Sequence, residues 1–400
     1  MSQTQRSDAR DDRHVAVHVD TEGSDLRVRW ADGHVSRFPA IWLRHNCVCP
    51  ECGSTETARR FLRLTDIPRD VAVESARLNA QGEIAVAWKP GGHVSSYDSM
   101  WLRAHCLSPP EREHRRHKPV LWHARTNNLL SYESYPALQD KRARLRFLER
   151  LRDYGFVILT DVTCEREATE KVAGVVGALR MTNYGIYELI SRPTPQLVGD
   201  TSVALAPHTD EPYRHNPPGI TFFHVLAQSD EGGDSILVDG YHAAEALRAR
   251  NPAAFHLLST VPAGFHRTLK EGRAFYATGP VIRLDREGHI EGVRLLDRGT
   301  APLDIAEGDV AGYYDALRDF LDYLYDERNH LVVKIAAGEM LVFNNQRLLH
   351  GRTAFDPTVS HRHVRSCNVD LDEFYSSLRV AYRELGREEA YMVLPQGAGT

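Results

Sequence analysis

Polar and apolar positions alternate with a period of two through the first hundred residues, in runs such as "DLRVRW" (25–30) and "EIAVAW" (83–88). That period puts one face of a strand inward and the other in water. The polar turns "ADGH" and "PGGH" that follow suit hairpins. Each is continued by a near copy of one motif, "HVSRFPAIWLRHNC" at 34–47 and "HVSSYDSMWLRAHC" at 93–106, sharing His, Val, Ser, an aromatic, Trp-Leu-Arg and a final Cys. The segment is therefore read as two copies of one unit, each a hairpin followed by a short helix. "LSPPEREHRRHKP" (107–119), rich in proline and charge, reads as a solvated linker.

Beyond it the period lengthens. "LQDKRARLRFLERLRDYGFVILTDV" (138–162) predicts a basic amphipathic helix stopped at Gly155 and then an apolar strand. Strand-like runs dominate to about residue 375: "SVALAPH", "GITFFHVLAQ", "DSILVDG", "AGEMLVFNN" and "RHVRSCNVD". Helices are expected at roughly 165–179, 241–258 and 310–326. Short strands joined by Gly, Pro and Asn turns argue for an antiparallel sandwich or barrel. The expected fold class is mainly β with flanking helices (α+β). The expected domains are 13–107, a linker at 108–135, and 136–388.

Composition narrows the function classes. A chain of 400 residues, 42% hydrophobic and 26% charged, exceeds what one core usually serves. Its net charge of −5 offers no basic surface for phosphates, so no nucleic acid and no membrane partner is expected. No run of about 18 apolar residues occurs and the first residues are polar, so a cytoplasmic location is expected. Six scattered cysteines do not suggest a disulfide framework.

Two groups of residues suit metals. Cys47, Cys49 and Cys52 fall within six positions, and thiolates are strong zinc ligands. A fourth ligand would close a tetrahedral structural site; His93 is favoured from the repeat, with His34, His45 and Cys106 as competitors. Such a site leaves no room for substrate, so the cluster reads as scaffold. In the larger part, His208 and Asp210 in "ALAPHTDEPY" and His350 in "NNQRLLHGRTAF" could place two imidazoles and a carboxylate on one face of a cation, as suits Fe(II) that activates O₂. His-x-Asp alone is weak evidence, and His18 with Asp20 reads as an accident. Arg362 could clamp a carboxylate in bidentate fashion, and Ser235 in "GGDS" could assist.

"WLRHNCVCPEC", "GFVILTDV", "NYG", "HTDEPYRHNPPGI", "GGDSILVDG", "NNQRLLHGR" and Arg362-His363 together resemble the γ-butyrobetaine and trimethyllysine hydroxylase-like family, within the taurine-dioxygenase-like superfamily. The resemblance runs from about residue 25 to 385. It implies a double-stranded β-helix (jelly-roll) core and an N-terminal zinc domain with structural Zn(II) on Cys47, Cys49, Cys52 and His93. It further implies Fe(II) on His208, Asp210 and His350, and the co-substrate 2-oxoglutarate on Arg362 with Ser235. The implied reaction consumes O₂, converts 2-oxoglutarate to succinate and CO₂, and oxidises a C–H bond of a small cationic or zwitterionic molecule. For substrate, the resemblance points to Tyr184 and Tyr187 as remnants of an aromatic cage. Asp200, Glu211 and Asn368 stand where the family has tyrosines, and Arg298 lies in a run that replaces an asparagine. Acids there suggest a cation that keeps N–H donors, and Arg298 suggests an anionic group at the other end. The expected assembly is a homodimer.

Overall fold

The computed structural model describes residues 15–54, 59–126, 129–190, 202–228, 231–269, 272–356 and 362–387. They form two compact units that divide between His117 and Lys118.

In the first unit each sequence copy is a three-stranded antiparallel sheet and a helix. The strands Ala16–Glu22, Asp25–Trp30 and Val35–Phe38 lead into the helix Ala40–His45; Ala72–Leu78, Glu83–Lys89 and Val94–Asp98 lead into Ser99–Ala104. The alternation is realised as expected, with Leu26, Val28 and Trp30 buried in one copy and Ile84, Val86 and Trp88 in the other, within one shared core. The copies meet through equivalent residues: Trp42 and Trp101 stack with ring centroids 5.6 Å apart. Trp30 Nε1 donates to Ser36 and Trp88 Nε1 to Ser95, at 2.8 and 2.9 Å, so each indole satisfies its polar atom in the same way. The proline-rich stretch expected to be a solvated crossing holds a helix, Pro109–Arg115. Proline is compatible with a first helical turn because its missing N–H has no intrahelical partner there.

The second unit is built on two sheets. One has six strands in the order Tyr187–Ile190, His363–Val369, Ile220–Ala227, Met340–Asn344, Phe156–Thr160, Tyr132–Ser134; the other has four, Leu205–His208, Leu348–Arg352, Ser235–Asp239, Leu331–Val333. Pairing is antiparallel apart from Tyr132–Ser134 on Phe156–Thr160. Leu237, Leu348 and Val333 from the smaller sheet share a core with Phe156, Val225, Leu341, Phe343 and Val364 from the larger. Their chain neighbours Val238 and Leu349 face the other way, into a helical layer of Gly240–Arg250, Pro252–Thr260 and Glu307–Tyr325. A strand buried on both faces must be apolar throughout, which is why "SILV" and "RLL" lack the alternation of the first unit.

The amphipathic helix expected after residue 138 is Lys141–Tyr154. The Asp140 carboxylate accepts from the Ala143 amide at its start, and Gly155 ends it at φ 84°. A Cβ at Gly155 would also lie 3.0 Å from Cδ of Arg347, so the turn and a close approach both require glycine here. The helix expected at 165–179 is confined to Ala168–Ala173, because Gly174 and Gly177 are poor helix formers. Among the described residues no helix is long and apolar enough to cross a membrane.

Candidate active site and a thiolate cluster

His208 ends the strand Leu205–His208, an edge strand that tolerates Pro207 because its outer amides need no ladder partner. A register irregularity between Leu205 and His208 re-aims the last residue, which then lies directly opposite His350 of Leu348–Arg352. The imidazole centroids are 4.5 Å apart. Asp210, two residues on, reaches back: its Oδ1 is 3.6 Å from His208 Nε2 and its Oδ2 3.6 Å from His350 Nε2. The turn carrying it is held by Asn345, fully buried, whose Oδ1 accepts from the Asp210 amide at 2.7 Å and whose Nδ2 donates to the Asp210 carbonyl at 3.1 Å. Thr209 is tied to Leu295 through both backbone and hydroxyl.

Protonation follows from these partners. His208 Nδ1 lies 2.9 Å from the Ala206 carbonyl, which can only accept, so Nδ1 carries the proton and Nε2 presents its lone pair. Arg298 Nη2 lies 3.2 Å from that Nε2. Burial pushes His350 down to about 3, and it is neutral at pH 7. Burial opposes the Asp210 carboxylate, but His350, His208 and Arg298 hold it at about 2. Two imidazoles and one carboxylate, each offering an atom within 4.8 Å of the others, are a donor set that suits a divalent metal. These residues fit Fe(II).

The three open into a cavity of about 440 Å³. Its lining includes Ser235, Arg352 and Arg362. Arg362 is 8% exposed, and its Nε is buried without a hydrogen-bond partner among the described residues. Burial and the nearby Arg352 guanidinium lower its pKa to about 10. Two buried guanidiniums facing one cleft call for an anion between them. Gly233, at φ 70°, makes room for this: a Cβ there would lie 3.3 Å from Arg362 Cδ. Arg365, three residues on in the strand that follows, is turned away toward Glu170 at 2.9 Å and Glu188 at 3.3 Å.

Tyr184, Tyr187 and Tyr213 also line the cavity. The first two rings are 4.7 Å apart, and the Tyr184 and Tyr213 hydroxyls are 3.1 Å apart. Tyr213 was missed in the sequence, although it lies in the quoted "HTDEPY". Glu211 also reaches the cavity, but its carboxylate already accepts from the Tyr187 hydroxyl at 2.7 Å and is ion-paired with Arg214. It therefore presents no open acid to an amine. Asp200 lies outside the described residues. Asn368 is not on the cavity wall; its Oδ1 accepts from Thr221 at 2.8 Å within the larger sheet. Arg298 does line the cavity, joined by His266, Arg267 and Thr268 from the strand Ala263–Leu269. Nothing in "AGFHRTL" marks that strand as part of a site, since only the chain's return places it there.

In the first unit Cys47, Cys49, Cys52 and His93 converge, with the three sulfurs 3.5, 3.7 and 3.7 Å from His93 Nε2. His93 Nδ1 faces Glu51 at 3.6 Å, and Arg44 donates to Cys52 at 3.2 Å. These four residues fit Zn(II), with all four tetrahedral positions filled by protein. Of the competitors for the fourth place, His45 lies against Arg60, and His34 lies beside Cys106.

The model of the taurine catabolism dioxygenase TauD, TfdA family matches residues 113–368, and that of the gamma-butyrobetaine hydroxylase-like N-terminal domain matches 17–103. The gamma-butyrobetaine dioxygenase of Pseudomonas sp. (strain AK-1) is 35% identical over 364 residues, covering 90% of this chain and 94% of that protein. The trimethyllysine dioxygenase of Meyerozyma guilliermondii is 27% identical over 400 residues, covering 94% and 97%. The gamma-butyrobetaine dioxygenase of Homo sapiens is 26% identical over 365 residues, covering 89% and 94%. With His208, Asp210 and His350 converging on one cavity and the match running through them, the chain belongs to the TauD, TfdA family of iron- and 2-oxoglutarate-dependent dioxygenases.

Proposed function

We propose that this dioxygenase hydroxylates a small zwitterion that carries a methylated ammonium at one end and an acidic group at the other. The observation that supports this most is the cavity's lining: three tyrosines, the guanidiniums of Arg298 and Arg267, and the metal-ligand triad all face one space. A quaternary ammonium cannot donate hydrogen bonds and is best held against aromatic faces. With Glu211 held by Arg214 and Tyr187, the tyrosines offer faces rather than a free charge. Of the two acids behind the expectation of a cation that keeps its N–H donors, Glu211 is thus engaged and Asp200 lies outside the described residues. Gamma-butyrobetaine and trimethyllysine, after which these relatives are named, are both methylated ammonium compounds.

In this reading His208, Asp210 and His350 hold Fe(II), which supplies the O₂-activating chemistry when bound. Arg362, with Arg352 and Ser235 beside it, takes the distal carboxylate of 2-oxoglutarate in a bidentate pair. Asn345 fixes the turn that presents Asp210. Tyr184, Tyr187 and Tyr213 orient the cationic head so that one C–H bond faces the metal, and Arg298 with Arg267 fixes the other end. Residues 13–107 serve as the zinc domain, 108–135 as the connection and 136–388 as the oxygenase domain, whose paired sheets form the double-stranded β-helix.

Coupled turnover tests the reading: product formed per succinate, for γ-butyrobetaine beside its unmethylated amine, in wild type and His350→Ala. Tight coupling with the methylated compound is expected, as is loss of all iron-dependent succinate formation in the variant. Coupling with the amine alone would replace the substrate, and succinate formation at the normal rate in His350→Ala would remove the iron site.

A further inference from the structure

The two copies in the first unit exchange residues. His93 of the second copy meets Cys47 of the first, and His34 of the first meets Cys106 of the second; both histidines and both cysteines are 59 positions apart in the chain. At the same spacing Cys49 corresponds to Ser108, Cys52 to Glu111 and Arg44 to Arg103. The contacts correspond too: Arg44 donates to Cys52 at 3.2 Å, and Arg103 donates to Glu111 at 2.8 Å.

Around Cys106 the three donor atoms form a nearly equilateral triangle. Cys106 Sγ is 3.4 Å from His34 Nε2 and 3.4 Å from Ser108 Oγ, and those two atoms are 3.4 Å from each other. These separations match the 3.5 to 3.7 Å between sulfurs and imidazole in the Cys47 cluster. Ser108 stands at the start of Pro109–Arg115, yet its hydroxyl makes no capping bond and turns to the sulfur and imidazole instead. Ser36, whose oxygen accepts from Trp30 Nε1, directs its own proton to Cys106 Sγ at 2.9 Å, which favours electron density on that sulfur.

We propose that His34, Cys106 and Ser108 form a second cation site, weaker than the Cys47 cluster and selective for a thiophilic divalent ion such as zinc or cadmium. One sulfur, one nitrogen and one oxygen supply three ligands, and water supplies the fourth. Binding releases the Cys106 thiol proton to solvent. The site is weaker because a hydroxyl replaces the thiolate of Cys49, and Glu111 is engaged by Arg103.

The test is a cadmium titration of the full chain followed by thiolate-to-cadmium absorption, which does not report a metal held by imidazoles and carboxylates alone. His350→Ala is included as background to empty the other triad. Two steps are expected, the tighter from Cys47, Cys49 and Cys52 and a second carrying one thiolate per metal. Cys106→Ser abolishes the second step and keeps the first; His34→Gln, which leaves the buried thiol in place, weakens it. Ser108→Cys restores the missing donor and makes the second step tighter. A single step in the parent chain, or a second step that persists in Cys106→Ser, overturns the proposal.

Discussion

Arg362 shows what a single residue does in this fold. Its guanidinium sits in a buried cleft with Arg352 close by, and Gly233 gives way to it. Such a group is stable only if an anion joins it, and a bidentate carboxylate is the geometry a guanidinium fork matches. Arg362→Ala is therefore expected to raise the KM for 2-oxoglutarate by about tenfold to a hundredfold, the equivalent of a lost charge-assisted hydrogen bond, while the KM for substrate changes little. Arg362→Lys keeps the charge but loses the fork and falls between. Steady-state kinetics with each substrate varied in turn decides it, and an unchanged KM for 2-oxoglutarate would transfer the role to Arg352. Arg362 was legible in the sequence because it opens a strand-like run twelve residues after His350. Asn345 was not, since an asparagine beside another in "FNNQ" has no distinguishing pattern. Its importance comes from two hydrogen bonds to a turn 135 residues away.

At the scale of elements, the His350 strand is anchored at its entry. Arg347, 1% exposed, makes a bidentate pair with buried Asp239 at 3.0 and 2.9 Å and also donates to the carbonyls of Asp153 and Val120. Asp239 in turn accepts from the amides of Trp122 and Tyr241, so one pair joins the ends of two neighbouring strands to a helix start and the preceding loop. Breaking a buried pair leaves an uncompensated charge, and Arg347→Met is expected to cost about 3–5 kcal/mol in denaturant unfolding. Removing both charges, in Arg347→Met with Asp239→Leu, should restore a large part of that. A single variant as stable as wild type would show that the pair is replaceable. The motif "NNQRLLHGR" was read for its histidine, and its first arginine turns out to hold the strand that presents it.

Across the whole molecule, each unit has its own core and its own metal donor set. The chemistry of the two sets differs: three thiolates and an imidazole enclose a metal completely, whereas two imidazoles and a carboxylate leave positions open. Chelation at moderate strength is expected to strip iron from His208, Asp210 and His350 while about one zinc stays with the chain. Cys49→Ser should lose that zinc and lower the melting temperature of the first unit. Metal analysis with calorimetry reads both outcomes, and zinc loss without any change in melting would make the cluster dispensable for folding. The sequence by itself determined much of this: the duplicated hairpin from a period of two and a repeated motif, the helix ended at Gly155, the three cysteines, and the spaced His208, Asp210 and His350. Those signals are short motifs or a near repeat of one motif at a fixed spacing, so they are legible in the chain alone. His93 was favoured from the repeat over His34, His45 and Cys106, and the tertiary structure places it at the three sulfurs because the copies exchange residues. The tertiary structure alone brought Tyr213, Arg267 and Arg352 to one cavity and turned Glu211 toward Arg214 and Asn368 toward Thr221. Which neighbours a side chain meets is set by strand register and loop return between residues far apart in the chain, and no periodicity records that.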